Sequence, residues 1–255
     1  MGISSWESLS LITEDKVSIS GWLIRNSSAE GVLLLLHGFG TSKVDLLDLA
    51  RSLHDFGKHH LVLIDFRGHG HSGGGSFSFG RKEVLDVKAV LTILASTPDL
   101  RELPIGCLGV SMGGAIGILA ASRYPEIRAV VSDSAYADLG KAIARALKIT
   151  YHIPLLILGQ IVIWSTEVRL GCKMAAVSPM LAVPRIAPRS VMIIHGTNDK
   201  TVPHQDGQTL FKVAGYPKKQ WMIPGAEHVA CFYKDRAEYT RMVSEFFRDG
   251  FLGTA

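Results

Sequence analysis

Eight short apolar runs, most of them rich in Val, Ile and Leu, recur along the chain, and from the third run onward longer stretches, most of them of helical period, separate them. A continuous run of about four to eight such residues is short for a buried helix, so it predicts a strand covered on both faces. Such strands, joined by helices, build a mainly parallel sheet. The runs fall near 7–12, 16–24, 31–36, 60–65, 104–110, 127–132, 190–195 and 219–223. Helices are expected over 44–56, 83–95, 112–123, 204–213 and 235–247. A short connection containing Glu14-Asp15 joins the first two strands, which leaves no room for a crossover and predicts an antiparallel hairpin ahead of the parallel set.

A chain of 255 residues, 47% hydrophobic, suffices for one α/β domain spanning 1–255. Almost sixty residues lie between the sixth and seventh runs. That is too many for a plain crossover, and about 139–180 is expected to be an inserted helical cap. The net charge is +4, without a Lys/Arg run interleaved with aromatics, so nucleic acid is not an expected partner. Cys107, Cys172 and Cys231 are odd in number and form no CxxC pair. A reducing, cytoplasmic setting without a disulfide framework is therefore expected. Residues 1–16 have no basic stretch leading into an apolar core, which argues against a secretory leader.

The pattern GxSxG occurs twice, around Ser72 and Ser111. A nucleophile elbow needs a strand before the serine and a helix after it, because that sharp turn lifts the hydroxyl clear of the sheet. Ser111 has both, with 104–110 before it and the small-residue stretch MGGAIGILAAS after it. Ser72 sits in GHGHSGGGSFSFG, a glycine-rich loop without a helical continuation, and is expected to be structural. A serine hydroxyl is a weak nucleophile unless a base takes its proton and an acid orients that base. Asp199 follows the strand at 190–195 and His228 follows the one at 219–223, in the chain order Ser, acid, His. Asp133, after the sixth strand, is the rival acid. His37 and His195, each before a glycine at a strand end, are expected to be hydrogen-bonded packing residues. His69 and His71 have no third ligand at useful spacing, so no metal site is expected. Attack on a carbonyl builds negative charge on oxygen, and the Met112 and Phe39 amides are the expected oxyanion donors. Met112 opens the helix after the nucleophile, and Phe39 lies between two glycines in His37-Gly38-Phe39-Gly40.

HGFG at 37–40, DFRGHGHS at 65–72, GVSMGG at 109–114, HGTND at 195–199 and GAEH at 225–228 together resemble the α/β-hydrolase superfamily over about 31–248. SPM at 178–180 and HVACFYKDRAEY at 228–239 are similar to small carboxylesterases and serine-aminopeptidase-like members. The resemblance implies an eight-stranded, mostly parallel sheet with helices on both faces and a cap. It also implies hydrolysis of an ester, thioester or amide without a cofactor. A carboxylesterase acting on small to medium acyl esters is the leading expectation. A peptidase or amidase is the second, and a non-catalytic ligand-binding protein on the same fold the third. A carboxylate at the elbow would be needed for dehalogenase or epoxide-hydrolase chemistry, and Ser111 excludes it.

Residues 149–166 are eighteen positions without a charged side chain, long enough on length alone to span a bilayer. A span would separate Ser111 from Asp199 and His228, and Pro154, Gly159 and Gln160 interrupt the run. The expectation is a helical lid whose apolar residues Leu155, Leu156, Ile161 and Trp164 line an acyl pocket or touch a lipid surface. Plain burial against the core is the alternative.

Overall fold

The computed structural model describes residues 6–151, 158–171 and 173–253. Its sheet has eight strands: β1 (Glu7–Ile12), β2 (Ser18–Ile24), β3 (Gly31–Leu36), β4 (His59–Ile64), β5 (Ile105–Val110), β6 (Ile127–Asp133), β7 (Ser190–Gly196) and β8 (Lys218–Ile223). Their order across the sheet is β1-β2-β4-β3-β5-β6-β7-β8. The β1–β2 and β2–β4 pairs are antiparallel and the other five are parallel. The hairpin and the parallel set are where the sequence pattern put them. The described helices are α1 (Leu47–Phe56), α2 (Glu83–Ser96), α3 (Met112–Ala121), α4 (Leu139–Tyr151), α5 (Leu158–Leu170), α6 (Pro179–Ala182), α7 (His204–Val213), α8 (Cys231–Lys234) and α9 (Arg236–Leu252). Together this is the α/β-hydrolase fold, with α4 and α5 lying between β6 and β7 in the chain, within the stretch expected to form a cap.

Strand periodicity divides the core. In β3, Val32, Leu34 and Leu36 join the apolar layer under α2 and α3, whereas Leu33 and Leu35 join the layer under α1 and α9. All five are fully buried. Successive side chains point to opposite faces, so a run with no polar member fits only a central strand. The outer strand β1 is mostly exposed, as its mixed sequence requires.

Strand order also fixes where a site forms. From β3 the chain moves to β4 on one side and returns to β5 on the other. Loops leaving β3 and β5 then diverge and open a crevice at the carboxyl ends of the strands. Leu36 is in register with Gly109, which brings 37–40 level with Ser111.

One buried imidazole in this frame has a pH consequence. His59 opens β4 against Phe247 and Phe251, and burial pushes its pKa down to about 4. The folded value lies below the ordinary 6.5, so the unfolded chain takes up its proton first as pH falls. Stability from keeping His59 neutral is therefore lost between about pH 6.5 and pH 4. In urea unfolding, wild type should lose about 3 kcal/mol relative to a His59→Leu variant over that range. A difference that stays constant with pH would contradict this.

Candidate active site

Ser111 stands between β5 and α3 with φ +52° and ψ −118°, a conformation costly for a residue with a side chain. The surrounding chain enforces it. The Ser111 N–H donates to the Asp133 carbonyl at 2.8 Å, tying the elbow to β6. A Cβ on Gly109 would strike the Gly113 backbone, and one on Gly113 would strike the Leu36 carbonyl. The two glycines of GxSxG thus let strand, elbow and helix approach this closely.

Asp199 and His228 come from separate loops that the backbone stitches together. The Thr197 N–H donates to the Ile223 carbonyl at 3.0 Å and the Asn198 N–H to the Ala226 carbonyl at 2.9 Å. Gly225 N–H donates to Thr197 Oγ1 at 2.8 Å. Across this seam His228 Nδ1 lies 2.7 Å from Asp199 Oδ2, and His228 Nε2 lies 2.9 Å from Ser111 Oγ. The other Asp199 oxygen accepts the Thr201 and Val202 N–H groups at 2.9 and 2.8 Å. Burial works to raise the pKa of Asp199, but hydrogen bonds from His195, His228 and the Val202 amide outweigh it and hold the carboxyl well below the usual range. With the carboxylate as acceptor, Nδ1 of His228 carries the proton and Nε2 is free to take one from Ser111.

Asp133 has different partners. Its two oxygens accept the Ser134 hydroxyl at 2.8 Å and the Tyr239 hydroxyl at 2.9 Å, and burial raises its pKa. Among the described residues it makes no hydrogen bond to His228. It braces α9 beneath the site while Asp199 orients the imidazole.

Of the two amides expected to receive an oxyanion, that of Met112 follows Ser111 directly in the chain and that of Phe39 belongs to the loop packed against it. Met112 is the first residue of α3, where an N–H has no intrahelical acceptor. Gly38, one residue before Phe39, packs so closely that a Cβ there would lie 3.5 Å from that of Ser111. His37 fixes this loop: Nε2 accepts the Phe66 N–H at 2.9 Å and Nδ1 donates to the Gly38 carbonyl at 2.7 Å. Burial pushes its pKa down to about 4, so it stays neutral and keeps both bonds.

Other features at the site are not apparent from the spacing of motifs. Phe39 packs edge-on to Phe77 at 4.8 Å and approaches Phe79 at 5.9 Å and His69 at 6.0 Å, forming an aromatic wall beside the elbow. The loop carrying Phe77 and Phe79 is held by buried ion pairs. Lys43 pairs with Asp65, and Arg67 bonds Asp86 and Asp15. Ser72 belongs to the same scaffold, donating to the Asp65 carbonyl at 2.6 Å and accepting the Ser20 N–H at 2.9 Å. His195 is fully buried. Its Nε2 bonds the Val202 carbonyl at 2.8 Å and lies 3.3 Å from Asp199 Oδ2. It is a packing residue, as expected, and also a second neighbour of the acid. Its pKa is raised, because Asp199 and the Val202 carbonyl outweigh the effect of burial. The only hint in the sequence was its place four residues before Asp199.

Of the four cap residues, Leu155 and Leu156 lie outside the described residues. Ile161 and Trp164 lie on α5 and face solvent, 52% and 64% exposed. Arg145 reaches Asp206 at the start of α7, 3.5 Å away, and ties α4 to the body. Gly171, just past α5, packs against the Arg81 guanidinium of the loop that carries Phe77 and Phe79.

Comparison with known proteins identifies the family and the fold. The model of a family described as serine aminopeptidase, S33, matches residues 27–166. The uncharacterized protein YqkD of Bacillus subtilis is 26% identical over 230 residues, which span 89% of this chain and 74% of its own. Protein bem46 of Schizosaccharomyces pombe is 23% identical over 254 residues, covering 98% and 79%. Among solved structures, the Pyrococcus furiosus esterase Pf2001 superposes with a TM-score of 0.78 and 26% identity, over 97% of this chain and 91% of that one.

Proposed function

The chain belongs to the serine aminopeptidase S33 family of α/β-hydrolases, and from that premise we propose that it is a carboxylesterase cleaving small to medium acyl esters through an acyl-enzyme on Ser111. The observation that carries this reading is the continuous relay Ser111–His228–Asp199, at 2.9 and 2.7 Å. Ser111 Oγ attacks the ester carbonyl while its proton passes to His228 Nε2. The oxyanion is met by the Met112 and Phe39 N–H groups. His228 then gives its proton to the leaving alkoxide, and the acyl group remains on Ser111. Water repeats the sequence, surrendering a proton to His228 and attacking the acyl carbon, so that the carboxylic acid departs and the serine hydroxyl is restored. Asp199, ionised throughout, stabilises each transient imidazolium.

The aromatic wall favours an ester with an apolar acyl chain, and the esterase activity named for Pf2001 agrees in kind. The family description favours a second reading, in which the same relay cleaves an amide and His228 protonates an amine. Hydrolysis of nitrophenyl esters of increasing chain length, run beside aminoacyl-anilides, separates the two. Esters should be the better substrates, and faster turnover of the anilides would reverse the assignment. Phe77→Ala should raise KM for hexanoate by about tenfold, the effect of losing one buried apolar contact, and change acetate little. An equal change on both would mean that the wall does not touch the acyl chain.

A further inference from the structure

The net charge of +4 is concentrated in one stretch. Residues 139–180 hold Lys141, Arg145, Lys148, Arg169 and Lys173 against Glu167 alone, a surplus equal to the charge of the whole chain. The rest of the chain carries as many acids as bases. Between the two groups of cations runs the uncharged stretch 149–166. Within and just beyond it, Ile161, Trp164 and Val168 of α5 are spaced three and four residues apart and so share a helix face. All three are exposed, at 52%, 64% and 62%. Single apolar residues at a surface are ordinary, but consecutive turns of them on one face mark a contact.

The topology limits what that contact can be. β6 precedes the cap and β7 follows it, and the two are paired neighbours in the sheet. The insert therefore begins and ends at one edge of the sheet, an arrangement that a single bilayer crossing does not allow. No helix among the described residues is long and apolar enough to cross one. An apolar face flanked by cations and carrying a tryptophan has the make-up of an element that lies in the plane of a membrane. We propose that the cap docks on an anionic lipid surface, with the Ile161, Trp164 and Val168 face in the headgroup boundary and the exposed Lys141 and Lys173 attracting lipid phosphates. Binding alone tests this, so it stands or falls apart from the chemistry at Ser111.

The full chain is mixed with extruded phosphatidylcholine vesicles and with vesicles containing roughly a third phosphatidylglycerol, and bound protein is measured by sedimentation. Wild type should partition onto the anionic vesicles at least about tenfold more strongly than onto the neutral ones, and the difference should vanish near 0.5 M salt, roughly, where surface charge is screened. Ile161→Glu with Trp164→Glu should reduce binding by about tenfold or more while near-UV circular dichroism stays as in wild type. Lys141→Glu with Lys173→Glu replaces two exposed cations outside the apolar face, should weaken binding by about tenfold at low salt, and decides the matter if the first variant fails to fold. Absence of anionic preference, or binding unchanged in both variants, would overturn the proposal. A wild-type dimer that the apolar-face variant converts to a monomer would also overturn it, by assigning the face to a second copy of the chain.

Discussion

Ser111→Ala should lower kcat on every ester by roughly 10⁵- to 10⁶-fold, the scale seen when a nucleophile is removed from an intact relay. The fold should survive, because the strained elbow is held by the Gly109–Gly113 approach and the Ser111 N–H bond to Asp133, neither of which uses the hydroxyl. Ser72→Ala is the matched control, since Ser72 occupies the other GxSxG. There the hydroxyl bonds, among the described residues, backbone groups of Asp65 and Ser20, so its loss should cost about 1 kcal/mol of stability per bond and leave most turnover. Steady-state kinetics with melting curves checks both, and a lethal Ser72 variant beside an active Ser111 variant would move the nucleophile.

Asp199→Asn should lower kcat by about 10⁴-fold with little change in KM. An amide in place of the carboxylate can donate to Nδ1, which moves the imidazole proton to Nε2 and leaves Ser111 facing a donor. Asp133→Asn should have a smaller effect on rate, because its partners are the Ser134 and Tyr239 hydroxyls, and a larger one on stability. Measured kcat and melting temperature for the two variants should therefore rank in opposite orders. If Asp133→Asn proved the slower enzyme, the acid would be misassigned.

Most of the fold was legible because most of the parallel strands are nearly unbroken apolar runs, β8 with its Lys218-Lys219-Gln220 opening being the exception. β3 begins and ends at the expected residues, and the other strand ends differ from the pattern by at most two. The expected helix at 44–56 opens instead as a 3-10 turn over Lys43–Leu46, with α1 starting at Leu47. The Asp65 carboxylate, which accepts both the backbone N–H and the ammonium of Lys43, holds that turn outside the helix. The ends of β7 and β8 exposed Asp199 and His228 as candidates because a site of this kind needs its groups at the carboxyl edge of the sheet. Other features depend on contacts between residues far apart in the chain. Phe77 and Phe79 read as loop residues until folding sets them against Phe39. Lys43 and Asp65 stand twenty-two positions apart with nothing in the spacing to pair them, yet both are buried and bonded to each other. Asp133 ends β6 and Asp199 lies just past β7, so both sit at the carboxyl edge of the sheet, and the sequence favours Asp199 with Asp133 as its rival. The ranking comes from the loop seam that carries His228 to Asp199.

The central claim is that Ser111 is the activated nucleophile, and reaction with a fluorophosphonate probe followed by peptide mapping tests it most directly. The probe accepts the serine oxygen at phosphorus only where a base removes the proton and amides receive the developing charge. Labelling should reach one probe per chain, fall on Ser111, and drop sharply in His228→Ala although the serine remains. Labelling on Ser72, or none on a folded chain, would contradict the account.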